Sequence, residues 1–214
     1  MMEMNPIQYF TISIIPVLLA ITVHEAAHGY AAKHFGDKTA FFLGRITLNP
    51  LKHIDPIGTI LIPGALLLLN APFLFGWAKP VPVNFSNLRN PKKDMMWVAL
   101  AGPASNFFMA IIWVILLNFT QSNQVNYSLF ISGMCQVGIM INLVLMLLNL
   151  LPIPPLDGGR MAVSLLPNPW SYKLASLERY GMFILLFMIM SGLLTVILLP
   201  LLRFFQNLLM GIFL

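Results

Sequence analysis

Two histidines four residues apart bracket a glutamate in the pentapeptide His24-Glu25-Ala26-Ala27-His28. On a helix, positions i and i+4 share a face. Both imidazoles can then meet one divalent metal while the carboxylate between them handles a water, the arrangement of a zinc-dependent hydrolase. The pentapeptide lies near the end of an apolar run from about Ile7 to Ala32. At about 1.5 Å per residue that run is long enough to cross a hydrocarbon core of about 30 Å, and His24 falls roughly 25 Å along it. Pro16 is a possible kink point in the run. Ionisable groups at such depth are costly in lipid and mark function.

Catalytic zinc usually takes three protein ligands and keeps one position open. Few acids can complete the set. Glu3 is terminal, Asp37, Asp55 and Asp94 fall in basic, loop-like segments, and Glu178 stands between Lys173 and Arg179 in an interfacial stretch. Asp157 differs, because it follows a span directly in Asn149-Leu150-Leu151-Pro152-Ile153-Pro154-Pro155-Leu156-Asp157-Gly158-Gly159. The prolines end the helix and the glycines permit a close turn, which would point a carboxylate back among the helices.

The elements that position these groups follow from composition. The chain has 214 residues, 58% of them hydrophobic and 9% charged. Soluble domains carry about 25% charged residues, so this is an integral membrane protein with no room for a sizeable soluble domain. The net charge of +5 is not clustered with aromatics, which excludes a nucleic-acid footprint. No cleavable signal peptide is expected, because the N-terminus lacks a basic region and its apolar stretch holds the pentapeptide. The single Cys135 lies in an apolar segment and reads as a small core side chain. The methionines of the spans read as packing, and His34 and His53 as solvated loop residues.

Four full spans are expected: Ile7 to Ala32, Met95 to Phe119, Leu129 to Leu150 and Phe183 to Leu199, the last followed by an interfacial tail with Arg203 and Gln206. Thr39 to Leu48 reads as short strands, and 76–84 as extended because of its prolines. A further apolar stretch, Ile57 to Phe75, is interrupted at Pro63-Gly64 and Asn70-Ala71-Pro72. The fold class is therefore all-α and polytopic: four transmembrane helices, one re-entrant or broken segment, and minor β structure in membrane-embedded loops. Residues 1–214 form a single membrane-embedded domain.

The motifs together resemble the site-2 protease family of intramembrane zinc metalloproteases. The likeness rests on HEAAH at 24–28, on Gly102-Pro103-Ala104-Ser105-Asn106 in a span, and on NLLPIPPLDGGR at 149–160, and it covers essentially the whole chain. It implies one zinc ion per chain held by His24, His28 and Asp157, with Glu25 as the catalytic carboxylate. It also implies that Asn149 and Asn106 shape the site or hold the substrate, in a substrate-binding or oxyanion role. The implied substrate is a transmembrane protein cut within or near its membrane segment, in the bilayer of the bacterial cytoplasmic membrane. Segment 76–84 resembles an extended element of some relatives that could pair with an unwound substrate strand. PDZ and CBS modules have no counterpart here. No nucleic-acid partner is implied.

The ligand set also constrains topology. His24 and His28 lie near the exit end of the first span and Asp157 just beyond the exit end of the third, so both spans end on one side. A complete crossing by Ile57–Phe75 would put Asp157 on the wrong face. That stretch should therefore return to its starting side, which is acceptable where protein or a water-filled cavity covers it. Eight of the twelve Lys and Arg residues (Lys33, Lys38, Arg45, Lys52, Lys79, Arg89, Lys92 and Lys93) flank it, whereas residues 120–128 carry no charge. The positive-inside rule then places the zinc site toward the cytoplasm.

Two other function classes share parts of this pattern. A catalytically silent homologue serving as a scaffold needs neither Glu25 nor a complete ligand set, yet both are intact. A metal or proton transporter would place His and Asp within the membrane, but usually shows two corresponding halves with broken helices. Here no repeat is visible.

Overall fold

The structure is a computed structural model and describes residues 6–69, 76–122 and 128–213. Helix α1 runs from Pro6 to His34 without interruption at Pro16. Helices α4 (Pro91–Ser122) and α5 (Ser128–Asn149) follow later in the chain as an antiparallel pair. Helix α1 packs against both members of this pair. Near the end remote from the pentapeptide, the hydroxyls of Thr120 and Ser132 approach to 3.4 Å. The core lies between α4, α5 and the last helix, α9 (Leu193–Phe213): Ala110, Trp113, Val114, Leu117, Cys135, Ile139, Leu143, Leu198 and Leu209 are buried together. Burying such side chains stabilises by about 1.5–3 kcal/mol each against water. In lipid the gain comes from close packing instead.

Four helices are long and apolar enough to span a membrane: Gln8–His34, Pro91–Thr120, Phe130–Asn149 and Leu193–Phe213. The first three match the expected spans. The fourth does not. Phe183–Leu199 is divided between α8 (Glu178–Met190) and α9 by a turn at Ser191-Gly192. Gly192 has φ +74°, a conformation in which a Cβ is strained. Arg203 and Gln206 consequently lie within the spanning helix α9 rather than in an interfacial tail. Helix α7 (Asn168–Ser176) precedes α8, and the exposed Trp170, Tyr172 and Tyr180 with Lys173 and Arg179 have the character of a membrane interface.

The second apolar stretch is re-entrant. Asp55 caps it, accepting the amides of Ile57 and Gly58. The chain then forms a π-helical turn at Pro56–Leu61 that continues into α3 (Ile62–Leu68). The helix is thus not interrupted at Pro63-Gly64. Pro63 is the second residue of the α-helical part, where a missing N–H is tolerated, and the irregularity is displaced into the wider turn before it. Thirteen residues at about 1.5 Å each give roughly 20 Å, too short to cross. The chain comes back to where it started: Trp77 donates its amide to Gly58 O at 3.1 Å, and the Thr59 hydroxyl donates to Trp77 O at 2.8 Å. The interruption expected at Asn70-Ala71-Pro72 and most of the uncharged 120–128 link lie outside the described residues.

No β-strand forms among the described residues. Thr39–Phe42 is a helical turn, α2, because Asp37 accepts both the amide (3.0 Å) and the hydroxyl (2.5 Å) of Thr39 and turns the backbone. Residues 76–84 are extended but join no strand ladder among the described residues. Lys79 gives its amide to His53 O at 2.9 Å, and Pro80 and Pro82 have no amide to give.

His53 is buried rather than solvated, with Nε2 3.0 Å from Thr47 O, whereas His34 is exposed. Asp37 is also fully buried. Burial alone would raise its carboxyl pKa, but the Thr39 hydroxyl, the amides of Thr39 and Asn84 and the Asn87 side chain outweigh it. Together they hold the group below the ordinary carboxylate range.

Candidate metal centre

His24 and His28 stand one turn apart on α1 and face α4. His28 presents Nδ1 to the carbonyl of Val98 at 2.7 Å. A carbonyl only accepts, so Nδ1 carries the proton and Nε2 carries the lone pair. His24 presents Nδ1 to Asn106 Oδ1 at 2.5 Å with the same consequence. The two Nε2 atoms are 3.1 Å apart.

Asp157 completes the group from the first turn of α6 (Asp157–Leu165). The chain ends α5 at Asn149, passes through Pro152, Pro154 and Pro155, and begins α6 directly after them. Gly158 and Gly159 make this return possible, since a Cβ on either would strike the backbone of residues 150–154. Asp157 Oδ2 lies 3.2 Å from both imidazole Nε2 atoms. It has no hydrogen-bond donor.

Three buried lone-pair atoms therefore converge with 3.1–3.2 Å between them. Without a cation such an arrangement is repulsive. Ligands about 2.0–2.1 Å from a tetrahedral zinc ion sit roughly 3.3 Å from one another, so the donor set and its spacing fit that metal. The space for it is kept open by Gly102: a Cβ there would lie 2.6 Å from His24 Nε2 and closer still to His28 Nε2. The loop acids weighed as ligands are engaged elsewhere. Asp37 and Asp55 accept backbone amides in turns and caps, and Asp94 accepts the Asn90 amide at 2.7 Å. Glu178 is exposed, and Glu3 lies outside the described residues.

Glu25 and Asn149 line the same cleft, a cavity of about 270 Å³. Glu25 projects beside the imidazoles, and its Oε2 accepts the amide of Val81 at 2.6 Å. Val81 belongs to the extended 76–84 segment, which walls the cleft with Trp77, Ala78, Pro80 and Val83. The Arg45 guanidinium fastens that strap by donating to Lys79 O at 3.1 Å and Pro80 O at 3.2 Å. Asn149 uses one N–H on Leu145 O at 3.0 Å. Asn106 does not face the cleft. It is completely buried behind His24, on the Nδ1 side, where no substrate reaches it. Its amide oxygen meets the His24 imidazole.

Sequence reasoning missed Gly102 as a spacer, Val81 as the partner of Glu25, and Asn142, which hydrogen-bonds Asn106 from α5 at 2.9 Å. The first two could not be read without a fold. Asn142 carries one signal, an amide in an otherwise apolar span, since such groups seek partners across helices.

A helical membrane bundle that encloses a His–His–Asp group beside a glutamate defines a class of membrane metalloprotein. Peptidase family M50 matches the chain over residues 12–133 and 124–192. The chain belongs to this family, the site-2 protease family of zinc metalloproteases. The protein named "Putative zinc metalloprotease YwhC" of Bacillus subtilis (strain 168) is 39% identical over 209 residues, covering 94% of this chain and 92% of its own. Rip2 of Mycolicibacterium smegmatis, named in the same way, is 30% identical over 193 residues, 87% of this chain and 71% of its own. Zinc metalloprotease MJ0392 of Methanocaldococcus jannaschii is 25% identical over 196 residues, 90% of this chain and 46% of its own. No solved structure matches the chain.

Proposed function

We propose that the protein is an intramembrane zinc protease that hydrolyses a peptide bond within or near a transmembrane segment of another membrane protein. The observation that carries this reading is the convergence of His24 Nε2, His28 Nε2 and Asp157 Oδ2 on the space beside Gly102, with Glu25 lining the same cleft. His24, His28 and Asp157 would hold one zinc ion, which would supply Lewis-acid chemistry at the scissile carbonyl and make the attacking water more acidic, toward a pKa of about 7.

The chain's own residues do the rest. Val81 N–H fixes Glu25 Oε2, which leaves Oε1 to take a proton from the attacking water and return it to the leaving amine. Asn149 stands where an amide N–H can stabilise the developing oxyanion. The strap gives a substrate strand one wall. Within 77–82, Trp77, Lys79 and Val81 direct their amides into the protein and Pro80 and Pro82 have none. Pairing with an unwound substrate thus relies on the Ala78 amide and on strap carbonyls that Arg45 and Thr59 leave open.

The basic ends of α1 and α4 support an orientation with the cleft toward the cytoplasm of a bacterial cell. The deciding experiment compares wild type with Glu25→Gln on a membrane-protein substrate. The expected result is cleavage reduced roughly 10²–10⁴-fold with zinc content unchanged. An undiminished rate would remove Glu25 from the mechanism. Orientation is read by labelling Ser86→Cys and Ser122→Cys in a Cys135→Ala background. Protection of Ser122→Cys from an external reagent, with Ser86→Cys exposed to it, would invert the orientation.

A further inference from the structure

Behind the metal ligands lies a second polar layer that touches no substrate. Asn106 on α4 and Asn142 on α5 are both 0% exposed among apolar side chains. Their hydrogen bonds form one directed chain. Asn142 donates Nδ2–H to Gly138 O at 2.8 Å, and its Oδ1 accepts from Asn106 Nδ2 at 2.9 Å. Asn106 Nδ2 also donates to Ala20 O at 3.2 Å, and its Oδ1 accepts from His24 Nδ1.

The directions are forced. Gly138 O and Ala20 O are backbone carbonyls and can only accept. Asn142 must therefore turn its Nδ2 toward Gly138 and its Oδ1 toward Asn106. Asn106 then has two acceptors at one end of its amide, Asn142 Oδ1 and Ala20 O, so its nitrogen must face them. Its oxygen is left facing His24, which has to donate from Nδ1. A flipped Asn106 would place its oxygen against both acceptors and leave all three without a proton, a mismatch that burial makes costly. His28 needs no such relay, because Val98 offers it a carbonyl directly.

We infer that Asn142 is a positioning residue for the metal site: it locks the Asn106 amide, and through it holds His24 in the tautomer that presents Nε2 to the metal. The inference rests on reading His24, His28 and Asp157 as that site. With Asn142 gone, only Ala20 O opposes the flip, and a flipped amide asks His24 to accept at Nδ1 and so to protonate the nitrogen that binds metal.

The test uses the full chain in detergent and zinc alone, with affinity measured by competition against a chelator. Asn142→Leu keeps the volume and removes the acceptor, and Asn142→Ser is too short to reach Asn106; either folded variant suffices. Both are expected to raise the zinc Kd about tenfold, the lower end for groups that orient metal-bound histidines. Ile139→Ala, in the apolar core one turn away on α5, should lower thermal stability with an unchanged zinc Kd. Wild-type zinc affinity in the folded Asn142 variants would overturn the inference. So would an equal loss in Ile139→Ala, which would make the effect one of general packing. If wild type itself takes up no zinc, the metal-centre reading falls, and this inference with it.

Discussion

The cleft has two walls built on different principles. The imidazole wall belongs to α1, α4 and α5, and the groups that hold its imidazoles, Asn106, Asn142 and the Val98 carbonyl, are paired in one permitted direction. The opposite wall is the strap of residues 76–84, extended and partly exposed, held by isolated bonds to Gly58, His53, Glu25 and Arg45. On the proposed function the first wall would hold a metal, which needs fixed tautomers and dry packing. The second would meet water and substrate, which need access. Holding the metal and moving the proton are therefore separable, and substitutions should sort by the wall they touch.

The largest effects belong to the imidazole wall. His28→Ala removes one of three converging ligand atoms and should abolish both zinc binding and peptide hydrolysis, read by metal analysis beside a cleavage assay. Retained zinc at wild-type stoichiometry would count against the ligand assignment. Gly102→Ala alters no ligand, yet its methyl group would occupy the space between the two Nε2 atoms. Zinc occupancy should fall nearly as far as in His28→Ala, with about 1–3 kcal/mol lost to overpacking in a thermal melt.

On the strap, Val81→Pro deletes one N–H in a segment that Pro80 and Pro82 already hold extended. The kcat is expected to drop roughly tenfold, equivalent to about 1.4 kcal/mol of transition-state stabilisation, while zinc affinity stays at wild type. Val81→Ala keeps the amide and should behave as wild type. Equal losses in both variants would show that the valine side chain, not its N–H, supports Glu25.

Outside the cleft the effect on zinc binding and cleavage should be smallest, and the readout is stability. The Asp37 carboxyl is held below its ordinary pKa in the folded chain, so its contribution to stability is present in full above the unfolded carboxylate range, near pH 4. That contribution disappears as pH falls through the lower folded value. Asp37→Asn should lower stability by about 1–3 kcal/mol at neutral pH, with the gap to wild type narrowing in strong acid. A gap that widened as pH fell would reverse the assigned sign.

The sequence made the imidazole wall legible where its chemistry is local. Spacing four apart places His24 and His28 on one helical face, and a proline run ending in Asp-Gly-Gly announces a carboxylate that turns back. Parity alone required Ile57–Phe75 to return, and Trp77 closes that return on Gly58 and Thr59. The rest depends on neighbours distant in sequence. Hydropathy is nearly even from Phe183 to Phe213, so nothing apolar distinguishes the true span α9 from α8, and only the positive φ of Gly192 separates them. The expected strand at Thr39 gave way to one side chain, Asp37, capping a turn. Asn106 was legible as a polar group in a span, but its direction was not, since a helix face becomes front or back only once its partners are packed.

The proposed ligands come from distant parts of the chain. His24, Glu25 and His28 enter the bilayer with the first helix, whereas Asp157 is added only after α4 and α5 have been made. A nascent chain therefore carries its hydrolytic carboxylate through most of its synthesis without a finished metal seat beside it. On the proposed assignment, chain order leaves the metal seat incomplete until α4, α5 and the start of α6 have all been made.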